Sequence, residues 1–366
     1  MARALKALIN VGALQQNLAK VRARVPHQKI MAMIKADGYG HGLVNVAVAL
    51  KDADAFGVAC LEEALALREA GIKNRIILMS GFYDARSELP LILELNLELV
   101  IHHEGQVNDL TLACSKAEVI SCAFPAIPVW IKINTGMNRL GFQCDQVQTV
   151  FETLSQCSLV KHQGLMTHFA RSEEADNVET AAQIDRFFQT VEALPGEKSL
   201  ANSAAILGMP ASHADWVRPG ILLFGVSPYP GRIGHDEGLT AVMTLQSELI
   251  AIQSVKAGGA VGYGGAYVCK KDTRIGVVAA GYGDGYPRLM PTGTPVLVNG
   301  RAVPLVGRVS MDMLTVDLES QPEAKIGDIV QLWSPDLPVE RVAAAAGTSA
   351  YELLTRLTKR VPFEIC

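Results

Sequence analysis

Lys35 ends an apolar run, Met31-Ala-Met-Ile, and is followed at once by Ala-Asp-Gly38-Tyr39-Gly40-His41-Gly42. An amine delivered by a strand into a glycine-rich loop is placed for chemistry, because parallel barrels gather their functional groups where the strands end. In partly desolvated surroundings such an amine loses proton affinity, and its free form attacks an aldehyde to give a Schiff base. The alternative is a lysine that ends its strand by extending into water. The segment alone leaves both readings open.

Other segments repeat the pattern of an apolar run ending in polar groups. Lys132-Ile-Asn134-Thr-Gly136-Met-Asn-Arg139-Leu-Gly-Phe142 carries two cations, which suit an anion or pair with surface carboxylates. Thr167-His168-Phe169 ends the next run, where a histidine is either a satisfied core residue or an acid-base group. Ala201-Asn202-Ser203-Ala204 and Val217-Arg218-Pro219-Gly220-Ile221 place a hydroxyl, a guanidinium and backbone amides where a loop could hold a phosphate. Farther on, Gly262-Tyr263-Gly-Gly265 and Gly281-Tyr282-Gly-Asp284-Gly-Tyr286 set tyrosines in loops. Such tyrosines cap a core from tight turns or, beside a cation, ionise and act as bases. Neither segment matches the G-x-G-x-x-G of a dinucleotide site.

The elements that must position these groups read as two domains, a (β/α)8 barrel of the TIM type over residues 1–235 and a mainly β domain over 236–366, with the extreme N-terminal strand packing with the latter. Eight apolar runs are expected as barrel strands: Ile30 to Lys35, Ala55 to Ala59, Arg75 to Ser80, Leu97 to Ile101, Val129 to Asn134, Gly164 to His168, Ser199 to Asn202 and Trp216 to Phe224. Leu61 to Ala70 and Val178 to Leu194 have helical periodicity; Ile184, Phe187, Phe188, Val191 and Leu194 in the second read as a core stripe. A proline and glycine cluster, Ser227 to Gly238, marks a linker. Beyond it Val242 to Ile252, Thr273 to Ala280, Thr294 to Val298, Met313 to Leu318 and Asp328 to Trp333 read as antiparallel strands, with a helix over Ser349 to Leu357 closing the fold.

Composition narrows the function classes. At 366 residues with 49% hydrophobic content, 19% charged content and net charge -4, the chain is an ordinary soluble globule with no basic excess for nucleic acid. No apolar stretch reaches the length of a signal peptide or a membrane span, so a cytoplasmic protein is expected. Seven scattered cysteines (Cys60, Cys114, Cys122, Cys144, Cys157, Cys269, Cys366) lack metal-ligand spacing and read as reduced, mostly structural thiols; no metal is expected.

In order along the chain, Ala32 to Gly42, Lys132 to Phe142, Thr167 to Phe169, Asn202 to Ala204, Arg218 to Gly220, Gly262 to Gly264, Gly281 to Gly285 and Gly307-Arg-Val-Ser-Met-Asp312 closely resemble the bacterial alanine racemases, pyridoxal-phosphate enzymes of a β/α-barrel family. The resemblance spans nearly the whole chain. It implies that Lys35 carries pyridoxal 5'-phosphate as a Schiff base, that Tyr39, Ser203, Tyr351 and the backbone at Gly220 and Ile221 hold the phosphate, and that Arg218, oriented by His168, faces the pyridine nitrogen. It implies an isomerase that interconverts L- and D-alanine with two bases, Tyr263 for the L-enantiomer and Lys35 for the D-enantiomer, supplying D-alanine for peptidoglycan or serving alanine catabolism. Arg139 and the Met311 amide match the substrate-carboxylate positions, Lys132 a lysine often carbamylated, and Tyr282, Asp284, Arg288 and Arg308 the entrance. Tyr263 and Met311 would act across a homodimer with shared sites. Asn134 stands where many members carry Asp, and Ser310 where cysteine is also common. A barrel relative that binds the cofactor without turnover lacks the β domain, and a decarboxylating relative has a glutamate where Arg218 stands.

Overall fold

The computed structural model describes residues 3–117, 126–174 and 177–366. Eight short strands, β2 (Lys29–Met33), β3 (Ala55–Val58), β4 (Arg75–Leu78), β5 (Glu98–Ile101), β6 (Ile127–Lys132), β7 (Val160–Met166), β8 (Lys198–Asn202) and β9 (Trp216–Arg218), follow β1 (Lys6–Ile9). They close into a parallel barrel, β2 pairing with both β3 and β9, Lys29 opposite Trp216. Every residue of β3 and β5 is buried, as both-face burial in a helix-covered parallel sheet requires. The barrel and its helices form one compact unit, Leu18–Gly38 with Leu43–Leu223.

Two sequence expectations are corrected here. The run Trp216 to Phe224 is a strand only as far as Arg218; Pro219 lacks the amide a ladder needs, and Ile221–Phe224 turns into a 3-10 helix. In the helix Val178–Val191 the buried face is Thr180, Gln183, Phe187 and Val191, whereas Phe188 is 37% exposed and Ile184 half-buried. Gln183 takes an inner position because its amide is satisfied, donating to Thr135 Oγ1 at 3.1 Å and to the His168 carbonyl at 3.2 Å.

The second unit comprises residues up to Asn17, Tyr39–Gly42 and Phe224–Cys366. Its strands are β10 (Met243–Val255), β11 (Ala260–Val261), β12 (Tyr267–Val268), β13 (Thr273–Val278), β14 (Pro295–Val298), β15 (Arg301–Pro304), β16 (Leu314–Asp317), β17 (Ile329–Trp333) and β18 (Phe363–Ile365). The sheet runs β15-β14-β17-β10-β1-β18, with β13 joining β10 to β16 and β11-β12 a separate hairpin. The first seven residues of β10 alternate buried and half-buried, the period-two signature of a sheet packed on one face. The helix expected near Ser349 is Ala350–Thr355, capped by the Ser349 side chain, but the last element is β18, which pairs parallel to β1. Cys60, Cys114, Cys144, Cys157, Cys269 and Cys366 are free thiols; Cys122 lies outside the described residues. Among the described residues no helix is long and apolar enough to cross a membrane, and no group of three or more His, Cys, Asp or Glu could hold a metal ion.

Candidate active site

Lys35 follows β2 by two residues, at the C-terminal end of the barrel, and the chain after it is left-handed. Ala36, Asp37, Gly38, Tyr39 and Gly40 have φ of 53°, 54°, 61°, 52° and 75°. Three of these are not glycine, and each such residue costs about 1–2 kcal/mol in this region, so the turn must be over-determined by its contacts. Within the barrel unit those contacts are polar. The Gly38 amide donates to the Ile34 carbonyl at 2.8 Å, Asp37 Oδ1 accepts from the Leu43 amide at 2.7 Å, and Glu63 Oε1 accepts from the Ala36 amide at 2.6 Å. A Cβ on Gly38 would lie 2.9 Å from Val46 Cγ2. Lys35 itself stays exposed. Desolvation by its surroundings lowers its proton affinity first and the Arg139 charge lowers it further, with Glu63 opposing both.

Lys132 ends β6 and is buried, its pKa lowered to about 8 by burial and by Arg218, Arg139 and Lys35. Arg139 sits on the exposed loop that follows. The loop is closed by the Phe142 amide on the Lys132 carbonyl (2.9 Å) and by Asn134 Oδ1, which accepts from the Gly136 and Asn138 amides at 3.2 and 2.9 Å. Asn134 thus does here with its amide oxygen what a carboxylate oxygen would do.

Arg218 ends β9, is buried, and is anchored at both terminal nitrogens. Nη1 donates to Ser199 Oγ at 2.6 Å, and Nη2 donates to the Thr167 and Leu200 carbonyls at 2.6 and 3.0 Å. His168 Nδ1 lies 3.4 Å from Nη2 and accepts, since a guanidinium only donates. Burial, then the Arg218 charge and the other cations, hold His168 well below the usual histidine range, so the ring is neutral; burial brings Arg218 down to about 10, still charged at neutral pH. Nε of Arg218 enters none of these bonds and is left for an acceptor. Ser203, also buried, takes the Gly220 amide on Oγ at 2.9 Å, bringing the hydroxyl and the start of the Ile221–Phe224 turn together.

The barrel mouth therefore gathers an accessible amine, two further cations, a fixed guanidinium and a hydroxyl-amide pair. Those groups suit an aldehyde-bearing aromatic phosphate: an amine of low proton affinity for the aldehyde, Arg218 for a ring acceptor, and Ser203 with Gly220 and Ile221 for phosphate oxygens. Pyridoxal phosphate has that donor and acceptor set.

In the second unit, Tyr39 is buried and stacks on Phe224 (centroids 4.9 Å apart), with Tyr351 tilted against it at 6.1 Å; burial pushes the Tyr39 hydroxyl up to about 12, so it stays protonated. Tyr263 stands 70% exposed on a turn whose flanking glycines have φ of 72° and 69°. The Arg308 guanidinium lies against that turn, 3.4 Å from where a Cβ on Gly264 would stand. Arg288 and Arg308 line a cavity of about 370 Å³ with Leu289 and Gly307. Met311 is 51% exposed, and its carbonyl accepts from the Gly283 amide at 2.9 Å while Ser310 accepts from the half-buried Tyr282. Asp284 is buried beneath these turns. It pairs with Arg3 and with Arg360 Nε at 3.3 Å and accepts from the Gly281 amide at 2.9 Å, so it shapes the loop from below.

Sequence reasoning missed the groups that act through others. Ser199 and the Thr167 and Leu200 carbonyls, which fix Arg218, and Gln183 and Glu63 carry no local signal. The partners that matter lie on segments remote in the sequence, and only the barrel's closure brings them together.

The residues 9–228 match the family model for the alanine racemase N-terminal domain, and 242–365 that for the alanine racemase C-terminal domain. An alanine racemase of Shewanella loihica is 52% identical over 97% of both chains. The structure of a biosynthetic alanine racemase from Pseudomonas aeruginosa is similar with a TM-score of 0.93 and 41% identity, over 100% of this chain and 99% of that one. That of alanine racemase from Bartonella henselae, which has covalently bound pyridoxal phosphate, is similar with a TM-score of 0.90 and 28% identity over 99% of both.

Proposed function

The chain belongs to the alanine racemase family, and on that premise we propose that it is a pyridoxal-phosphate-dependent isomerase interconverting L- and D-alanine, with the cofactor carried on Lys35. The observation that carries this reading is the placement of Lys35: an accessible amine two residues after the first barrel strand, its proton affinity lowered by its surroundings and by the Arg139 charge. Bound there, pyridoxal phosphate supplies the electron sink that makes an amino acid's Cα proton removable.

The chain's own residues do the rest. Ser203 with the Gly220 and Ile221 backbone holds the phosphate, and the resemblance adds Tyr39 and Tyr351 to that role. Arg218 donates to the ring nitrogen and keeps its proton, which favours prompt return of a proton to Cα over its migration elsewhere. Neutral His168 supports Arg218 without adding charge. Arg139 binds the substrate carboxylate, and Lys132, partly neutral near pH 8, adds carbon dioxide through its free amine and releases a proton to solvent, leaving a carbamate anion that steadies Arg139.

Inverting Cα needs proton exchange on both faces. Lys35 serves the D-enantiomer, and Tyr263 of a second copy serves the L-enantiomer, with the Met311 amide of that copy completing the carboxylate site. The high exposure of Tyr263 and Met311 on their turns supports a role toward a second chain in a homodimer. Tyr282, Arg288 and Arg308 line the approach to the site. We place the reaction in the cytoplasm, in D-alanine supply for peptidoglycan or in alanine breakdown. Chiral chromatography of L-alanine incubated with the cofactor-loaded protein tests the reading. Equal amounts of both enantiomers at equilibrium are expected, and L-alanine left unchanged contradicts it.

A further inference from the structure

Glu63 lies in the first turn of the helix Leu61–Glu69, after β3, and has no direct part in the proposed reaction. Its two oxygens face two different strand ends. Oε2 accepts from the Ala59 amide at 2.8 Å, on its own loop, while Oε1 accepts from the Ala36 amide at 2.6 Å and from the Asp37 amide at 3.4 Å. Ala36 and Asp37 are the two residues after Lys35, and both are non-glycine residues in the left-handed region. An acid in a first helical turn ordinarily reaches back to its own helix's free amides. Here one oxygen does that and the other is spent on the strained peptides next door.

We propose that Glu63 is a positioning residue for Lys35: its carboxylate clamps the β2 and β3 strand ends together, holds the left-handed turn that aims the amine, and supplies the negative charge that balances the cations around it. The inference rests on the reading of Lys35 as the reactive amine. Three observations converge on it. The clamp contacts the peptide immediately after Lys35. The turn it holds has a left-handed conformation that is costly for Ala36 and, less so, for Asp37. The groups acting electrostatically on Lys35 are Arg139, which lowers its proton affinity, and Glu63, which raises it, while Lys132 and His168 feel Lys35 in turn. Removing Glu63 therefore leaves the amine among cations alone.

The test compares wild type, Glu63→Gln, Glu63→Ala and the double variant Glu63→Ala with Ala36→Gly. In the cofactor-free proteins, the pH dependence of Lys35 acetylation by acetic anhydride is read by peptide mass spectrometry; in the loaded proteins, kcat and KM for alanine are measured. The midpoint of Lys35 labelling is expected to fall in both single variants. Loaded Glu63→Ala is expected to lose about 10- to 100-fold in kcat, the scale of a small misplacement of a reacting group. Glu63→Gln keeps an acceptor for one strand end and should lose less. Glycine at 36 adopts positive φ freely, so the double variant should recover part of the loss, which no general folding defect would allow. An unchanged labelling midpoint or an unchanged kcat overturns the proposal. Wild-type protein inert toward alanine refutes the racemase reading instead, and the labelling comparison then decides the role of Glu63 by itself.

Discussion

At the scale of single residues, Lys35 and Lys132 are both amines of lowered proton affinity, and they differ in what encloses them. Lys35 remains accessible at the barrel mouth, whereas Lys132 is buried among Arg218, Arg139 and Lys35. Lys35→Ala is expected to abolish the visible absorbance of bound pyridoxal phosphate and to leave no measurable racemisation; a retained spectrum would move the cofactor to another lysine. For Lys132 the sign follows from its lowered value. Below pH 8 the folded chain carries the full cost of a buried charge, and that cost is relieved as pH rises from about 8 toward the ordinary 10.5. Lys132→Met should therefore raise the unfolding midpoint at pH 7 in carbon-dioxide-free buffer, by roughly 1–2 °C for each kcal/mol relieved, with the gain fading above pH 10. Calorimetry showing no gain at pH 7 would mean that the charge is well compensated. Lys35, Arg218 and Ser203 were legible because apolar runs end on them. Glu63 and Ser199 were not, since nothing in a local window tells which neighbouring strand a side chain will reach.

Among the elements, the eight barrel strands were readable because burial on both faces leaves continuous apolar runs, while their ends were less so. Trp216 to Phe224 looked like one strand, but Pro219 takes the chain out of the ladder after Arg218, and that break is what exposes the Gly220 and Ile221 backbone. The glycines at 38, 40 and 42 announced positive φ, yet not that Ala36, Asp37 and Tyr39 share it. Phe188 falls outside the buried face because a hydrophobic spacing pattern cannot say that Gln183, satisfied by Thr135 and His168, takes an inner position. Elsewhere in the barrel, β7 packs so closely on Trp130 that a Cβ on Gly164 would collide with the indole ring. The indole is itself held, donating to Glu98 at 3.0 Å and meeting Trp216 edge-on. Gly164→Ala is expected to cost about 1–3 kcal/mol by overpacking. Urea denaturation with an unchanged midpoint would show that Trp130 moves freely.

For the molecule as a whole, the proposed reaction divides its work between a barrel unit that would hold the cofactor and a β unit whose exposed turns would serve a second copy. Mixing Lys35→Ala with Tyr263→Phe after dissociation and reassociation tests that division, because in a shared-site homodimer each heterodimer has one intact site. Random pairing should restore about a quarter of wild-type activity. No restoration would place both bases within one chain. The two-base mechanism itself is tested most directly by Cα deuterium incorporation in heavy water, starting separately from L- and D-alanine. Tyr263→Phe is expected to slow exchange from L-alanine by about 100-fold or more while exchange from D-alanine through Lys35 persists. Wild-type exchange from L-alanine in that variant would contradict the assignment of the two bases.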